Sequence, residues 1–313
     1  MITLTQLEYI VAVERYGNFK KAAKSCFVTQ PTLSMQIQKL EEHLGVILFD
    51  RSKQPIRPTP IGQKILDQSR VVISQAALIT ELINQDKEQV EGDLRLAVIP
   101  TLAPYVLPLF LKHFAETYPK VRLFVEESKT DDIILALQRN QLDIGLLVTP
   151  LLEPNLEEHP LFHEPFFVYA TRGSELSTQS EVKERDLEPH DILLLTEGHC
   201  LREQMLKVCS RQKRAQAEDR LQFESGSIET LCHLVETGHG YTMVPYLAKQ
   251  WLGNRSGVVV PFAAPQPSRE VSLVVHRSFV RQSILRALSG SILSRLPPEL
   301  LQPAKQLKTI EIR

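Results

Sequence analysis

Asn18-Phe19-Lys20-Lys21-Ala22-Ala23-Lys24-Ser25-Cys26-Phe27-Val28-Thr29-Gln30-Pro31-Thr32-Leu33-Ser34 reads as one short helix, a turn and the start of another. Asn18 is placed to cap the first helix and Thr29 the second, while Pro31 falls in a first turn, where a missing N–H costs nothing. Ala22 and Ala23 are small enough to let a neighbouring helix approach closely. The later helix continues through Leu33, Ile37, Leu40 and Leu44, one apolar face at helical spacing, to Gly45. Upstream, Leu4, Leu7, Ile10, Val11 and Val13 form a similar face that Gly17 stops. Two helices joined by a turn of a few residues predict a helix-turn-helix. The basic, proline-punctuated segment from Phe49 to Pro58 suits a β-wing beside it.

In such a motif the second helix enters the major groove. Gln30, Thr32, Ser34 and Gln36 are polar groups able to reach base edges, and Lys39, Arg51, Lys53 and Arg57 can neutralise phosphates and set the register. Taken alone, these residues fit equally well as the polar coat of a surface helix. The chain's net charge is −1, so any nucleic-acid surface has to concentrate its basic residues locally.

From Thr59, with Pro60 in the first turn, a long helix is expected. Ile65, Val72 and Ile79 recur at seven-residue spacing with Leu66, Ile73 and Leu82 beside them, a seam suited to a partner helix and hence to homodimerisation. It is expected to end near Gly92. Beyond it, strand-like runs at Leu94–Ile99, Val121–Val125, Ile144–Val148, Phe166–Ala170, Ile192–Leu195 and Val271–Val275 alternate with helical segments such as Ile133–Gln138 and Ile228–Thr237. That alternation predicts a mostly parallel sheet with helices on both faces. The chain is expected to cross between two lobes near 163–170 and return near 266–272. The domain reading is an all-α winged helix-turn-helix over 1–58, a linker helix over 59–91 and an α/β two-lobed regulatory domain over 92–303. Lobe I takes 92–163 and 268–303, lobe II 164–267, and 304–313 forms a mobile tail.

The chain has 313 residues, 43% of them hydrophobic and 23% charged, ordinary for a soluble globular protein of more than one domain. No apolar run is long enough to span a bilayer, and the start carries no basic segment followed by an apolar core. The expectation is therefore a cytoplasmic protein without membrane partners. Four cysteines, Cys26, Cys200, Cys209 and Cys232, are too few for a disulfide scaffold in a reducing compartment. Cys26 and Cys232 read as small core residues. His233 and His239 near Cys232 match no strong ligand pattern, so no metal and no cofactor is expected. On spacing alone, Cys200 and Cys209 are two unrelated buried thiols.

The blocks Phe19-Lys20-Lys21-Ala22-Ala23, Thr29-Gln30-Pro31-Thr32-Leu33-Ser34 and Leu40-Glu41-Glu42-His43-Leu44-Gly45-Val46-Ile47-Leu48-Phe49-Asp50-Arg51 resemble, in order and spacing, the LysR family of bacterial transcriptional regulators. Gly92-Asp93-Leu94-Arg95-Leu96 and Leu142-Asp143-Ile144-Gly145-Leu146 extend the resemblance over nearly the whole chain. It implies a winged helix-turn-helix, a dimerising linker helix and a two-lobed effector domain like a periplasmic binding protein. It also implies a homodimer or homotetramer acting on double-stranded promoter DNA, with RNA polymerase as a partner and no enzymatic role.

Gly198-His199-Cys200-Leu201-Arg202-Glu203-Gln204-Met205-Leu206-Lys207-Val208-Cys209 and Ser225-Gly226-Ser227-Ile228-Glu229-Thr230-Leu231 resemble the hydrogen-peroxide sensors of that family. This resemblance implies a redox-active pair, Cys200 and Cys209, and peroxide-binding threonines at Thr101 and Thr130. The His199 imidazole is suited to help hold the peroxide. Glu203 in place of the usual aspartate, and the divergent Met205-Leu206-Lys207-Val208, are departures able to alter switching kinetics or the energy of the disulfide. If a helix starts at Cys200, its N–H groups and dipole favour a thiolate, to which Arg202 adds positive charge. In a continuous helix nine residues separate the two α-carbons by roughly 13–14 Å, whereas a disulfide needs about 4.4–6.8 Å. A helical 200–209 segment would therefore have to be remodelled to close the bond. Two other functions stay open here: a LysR regulator sensing a small metabolite between its lobes, and a thiol peroxidase.

Overall fold

Each helix of the N-terminal region begins on a side chain that accepts its free N–H groups. The computed structural model describes residues 1–52, 54–86, 90–187, 192–209, 224–253, 255–301 and 306–311. They divide into two compact units, the first built on Met1–Gln89 and the second on most of the remainder.

In the first unit, α1 (Leu4–Tyr16) is capped by Thr3 and closed by Gly17. Asn18 accepts from Lys21 N (3.0 Å) at the start of α2 (Phe19–Ser25). Thr29 caps α3 (Gln30–Leu44), which Gly45 closes at φ 68°, a left-handed conformation that side chains resist. Two short strands, β1 (Phe49–Asp50) and β2 (Arg57–Pro58), pair antiparallel. Thr59 Oγ1 accepts from Gly62 N (3.0 Å) at the start of α4 (Pro60–Asp86). A Cβ on Gly62 would lie 2.1 Å from Leu48 O, so only glycine lets α4 begin this close to the chain that leads into β1.

The core of this unit is Leu7, Ile10, Val13, Ala22, Ala23, Leu33, Ile37, Leu40, Leu48 and Leu66, contributed by every one of its helices. At roughly 1.5–3 kcal/mol for each large apolar side chain, that burial outweighs what short helices can supply alone. Arg70, buried on α4, pairs with Glu14 of α1 and with Asp67. On the expected seam of α4, Leu66 and Ile73 pack into the core. Ile65 is half-buried, while Val72 and Ile79 are exposed. The Leu82 side chain lies outside what is described. The helix is described to Asp86, ahead of the expected end near Gly92.

The second unit opens with β3 (Gly92–Val98), α5 (Ala103–Thr117), β4 (Val121–Glu127), α6 (Thr130–Gln138) and β5 (Ile144–Thr149). Then come β6 (Leu156–Ala170), β7 (Leu194–Leu195), α7 (Cys200–Val208), β8 (Glu224–Ser225) and α8 (Ile228–Glu236). The chain continues through β9 (Tyr241–Pro245), α9 (Tyr246–Leu252), β10 (Val258–Pro261), β11 (Gln266–His276) and α10 (Gln282–Leu293) to β12 (Leu307–Thr309).

The sheet is mixed rather than mostly parallel. β3 pairs parallel with β4 and β5, but β11 runs antiparallel to β5 and β6, and β6 runs antiparallel to β9 and β10. The reason is that β6 carries the chain one way across the unit and β11 carries it back, so the two long strands must oppose each other. β6 changes partner along its length, facing β11 up to Pro165 and β9 from Phe166.

Residues 307–309, within the expected mobile tail, form a strand of the sheet. It runs parallel to the start of β11, and Ile310 is buried. Leu307 is half-buried and Ile310 buried, while Lys308 and Thr309 between them are exposed, so the polarity of the stretch conceals its place at the edge of β11.

Candidate thiol site and nucleic-acid interface

Cys200 is the first residue of α7, with His199 as N-cap. It is almost wholly buried, and burial pushes its thiol above the ordinary value. Four groups act in the opposite sense: the charge of Arg269, a hydrogen bond from Thr130, the Leu201 backbone N–H, and a hydrogen bond from Thr101. The two threonines expected at the site are thus brought to the sulfur. Thr101 follows β3, and Thr130 opens α6.

The net direction corrects the expectation of a stabilised thiolate. A helix N-terminus and hydroxyl donors do not offset the loss of water around a fully enclosed sulfur. The source of positive charge is also different from the one expected. Arg202 Nη1 donates to Leu195 O (2.6 Å), and the cation that acts on Cys200 is Arg269, on β11.

Arg269 is fully buried. Its Nε donates to Glu164 Oε2 (2.8 Å), and its Nη2 lies 2.7 Å from the same carboxylate. Glu164, equally buried on β6, also accepts from Leu247 N (2.8 Å). Arg269 Nη1 donates to Thr101 Oγ1 (3.0 Å) and Nη2 to Thr101 O (3.1 Å). With its oxygen occupied by the guanidinium, the Thr101 hydroxyl has its proton left for the sulfur. Sequence reasoning missed both Arg269 and Glu164. No local pattern marks them, because each stands among other charged residues, Glu164 after Glu157 and Glu158 on β6 and Arg269 beside Glu270 on β11.

His199 is buried, and burial together with the nearby Lys129 charge lowers its pKa, favouring the neutral ring. Lys129 Nζ donates to Glu197 O (3.1 Å). A Cβ on Gly226 would meet His199 Nε2 at 3.6 Å, which places the Ser225-Gly226-Ser227 segment against the imidazole.

Cys209 is the C-cap of α7. It is buried, and its Sγ lies 3.6 Å from Tyr241 Oη. Both cysteines are in the thiol form, with no disulfide between them. Because α7 is a nine-residue helix between them, the α-carbons stand roughly 13–14 Å apart at 1.5 Å per residue, about twice the reach of a disulfide. Cys232 is buried in α8, its thiol pushed up to about 12 chiefly by burial, and Cys26 is half-buried. His233 pairs with Glu236 (3.2 Å) and His239 with Thr237 (3.1 Å).

On α3, Leu33, Ile37 and Leu40 face the core. Gln30 and Lys39 are exposed, and Thr32, Ser34 and Gln36 are half-buried on the flanks. Thr32 Oγ1 is 2.8 Å from Thr29 Oγ1, and Gln36 Oε1 accepts from Gln6 Nε2 (3.3 Å). Pro31, Met35 and Gln38 are exposed as well, and sequence reasoning passed over them. Arg51 is held by Glu41 (2.7 Å) over the Phe19 ring. Arg57 is exposed on β2, and Lys53 lies outside the described residues. No helix among the described residues is long and apolar enough to cross a membrane.

Residues 4–63 match the family model for the bacterial regulatory helix-turn-helix protein, lysR family, and residues 87–297 match the LysR substrate binding domain. An Escherichia coli K12 protein named DNA-binding transcriptional dual regulator OxyR is 33% identical over 296 residues, covering 94% of this chain and 96% of that protein. The Haemophilus influenzae hydrogen peroxide-inducible genes activator is 34% identical over 274 residues, covering 87% and 90%. Among solved structures, full-length OxyR from Pseudomonas aeruginosa with a Cys-to-Asp substitution superposes with a TM-score of 0.83 at 34% identity, over 95% of this chain and 99% of that one. A hydrogen-peroxide-bound Cys-to-Ser mutant of Corynebacterium glutamicum OxyR gives 0.61 at 28% identity, over 94% and 92%.

Proposed function

The chain belongs to the LysR family of bacterial helix-turn-helix regulators, and we propose that within it this protein is the redox-sensing, DNA-binding transcription regulator that answers hydrogen peroxide through Cys200. The observation that carries this reading is the Cys200 sulfur, enclosed at a helix start where the buried Arg269 charge and the Thr130 and Thr101 hydroxyls act on it.

The chemistry follows from those groups. Peroxide enters beside Cys200, held by the Thr101 and Thr130 hydroxyls with His199 at the rim. The Cys200 thiolate attacks one oxygen, the O–O bond breaks, and the departing oxygen leaves as water after protonation. Cys200 is then a sulfenic acid. The Cys209 sulfur attacks it, the S–O bond breaks, and a second water leaves. Two thiols and one peroxide give one disulfide and two waters. Each event changes the protein itself, which suits a regulator rather than an enzyme. Since α7 holds the thiols too far apart to bond, closure requires α7 to be remodelled, and the two arrangements of that segment are the two states of the switch.

In this reading residues 1–58 form a winged helix-turn-helix with β1 and β2 as the wing, and 59–91 form the linker helix. Residues 92–301 form a two-lobed effector domain of the periplasmic-binding-protein kind, to which 306–311 also belong. Gln30, Thr32, Ser34 and Gln36 read promoter bases, and Lys39, Arg51, Lys53 and Arg57 contact phosphates. The exposed Val72 and Ile79 of α4 form a dimer seam, dimers pair into a tetramer, and the assembly works on RNA polymerase in the cytoplasm. The test is the operator footprint before and after peroxide. Wild type should shift and Cys200→Ser should stay in the reduced pattern. A shift that survives Cys200→Ser removes Cys200 as the sensor.

A further inference from the structure

The C-terminal segment that pairs with β11 also grips the helix that carries the two thiols. Gln266 N donates to Gln306 O and Ile310 N to Ser268 O, each at 2.8 Å, and they bracket the β12 pairing. From α7, Gln204 Nε2 donates to Ile310 O (2.6 Å) and Lys207 Nζ to Glu311 O (3.0 Å). On the outer side Lys308 pairs with Glu184 (2.8 Å). Gln204 is completely buried, and its Oε1 has no partner among the described residues. The donor side of the amide is what ties α7 to the C-terminal segment, through the bond to Ile310 O. Gln204 and Lys207 both lie between Cys200 and Cys209. Unwinding of α7 through these two positions breaks these bonds.

We propose that Gln306–Glu311 is a strap that holds α7 in its helical, dithiol form, with Gln204 and Lys207 as positioning residues for the second step of the reaction, in which Cys209 displaces water from the Cys200 sulfenic acid. This rests on the peroxide switch proposed above. The strap does not touch the first step, because neither Gln204 nor the C-terminal segment contacts the Cys200 sulfur through any group that acts on it. Its bonds exist only while α7 is helical, so they raise the barrier to closure and favour the reduced form. The strand it pairs with continues directly from Ser268 into Arg269, so the strap joins the redox helix to the strand that supplies the site's charge.

The experiment follows the full-length protein by rapid quench after hydrogen peroxide, trapping sulfenic acid with dimedone and free thiols by alkylation. Wild type is compared with Gln204→Met, which keeps the side-chain volume but removes the donor, and with a chain ending at Leu301. Both variants should form sulfenic acid at the wild-type rate. They should close the disulfide roughly three- to tenfold faster, the net worth of about one hydrogen bond, and should shift the equilibrium with dithiothreitol toward disulfide by a similar factor. If Gln204→Met closes at the wild-type rate or more slowly with the first step unchanged, the strap is wrong. It is equally wrong if both steps accelerate together, since that reports general loosening. Wild type that forms sulfenic acid but no Cys200–Cys209 disulfide overturns the switch itself, a result distinguishable from failure of the strap alone.

Discussion

The two units place their functional groups by opposite means. In the N-terminal unit the described candidate DNA contacts, from Gln30 to Arg57, lie within about 30 residues of one another along the chain, on α3, just after β1 or on β2. Caps such as Asn18 and Thr29, and the apolar face of α3, fix its orientation locally. In the second unit the thiol site draws Thr101, Thr130, Cys200 and Arg269 from a turn, two helix starts and a long strand. Only the folded sheet brings them together, and a buried ion pair between β6 and β11 holds the arrangement. A locally specified surface tolerates single changes, whereas a site assembled over long range depends on each of its supports.

The sharpest way to break this contrast is at Glu164. Glu164→Ala leaves Arg269 charged and unpaired in a dry interior, which typically costs about 3–5 kcal/mol. The second unit should lose stability by that order in chemical denaturation, and the Cys200 response should fail with it. A loss under about 1 kcal/mol would mean that the pair does not organise the site.

The next effect is on rate. Burial holds the Cys200 thiol above its ordinary value, so near neutrality it is mostly protonated while the thiolate is the nucleophile. The oxidation rate should therefore climb about tenfold per pH unit from roughly pH 6 to 8. A rate that levels off below about pH 7 would show a thiol more acidic than its enclosure dictates. Thr130→Val removes one donor to the sulfur. A hydrogen bond to a charged group is worth about 1.5–3 kcal/mol, so oxidation should slow roughly 10- to 100-fold with Cys200 still reactive to small alkylating agents. An unchanged rate would take Thr130 out of the peroxide site.

The smallest effect should come from the locally built unit. Arg51 is 43% exposed and paired with Glu41, so Arg51→Ala should change stability by no more than about 1 kcal/mol. It should still weaken operator binding for all sequences alike and lower the salt slope by about one. A stability loss as large as that of Glu164→Ala would erase the difference between the units.

The same contrast explains how much was legible in the sequence. The helix starts at Asn18, Thr29 and Thr59 and the stop at Gly45 could be read directly, because capping is decided by the residues that flank each turn. Thr101, Thr130, Cys200 and Cys209 were reachable through resemblance, and the structure brings the first three together. Arg269 and Glu164 were not reachable, because their meaning depends on a pairing across 105 residues that no local pattern announces. The mixed sheet was missed for the same reason, since strand direction is set by where the chain crosses and returns. The strand at Leu307–Thr309 was missed because a polar segment looks mobile until the sheet edge that receives it is known.

The central claim is that Cys200 and Cys209, held apart by an intact helix, are the two halves of one switch. Peptide mapping by mass spectrometry after stoichiometric peroxide, with and without a reductant, tests it directly. The account predicts one intrachain Cys200–Cys209 linkage per chain, reversed by the reductant, with Cys26 and Cys232 remaining as thiols. A linkage through Cys26 or Cys232, or a shifted operator footprint with no linkage at all, would contradict it.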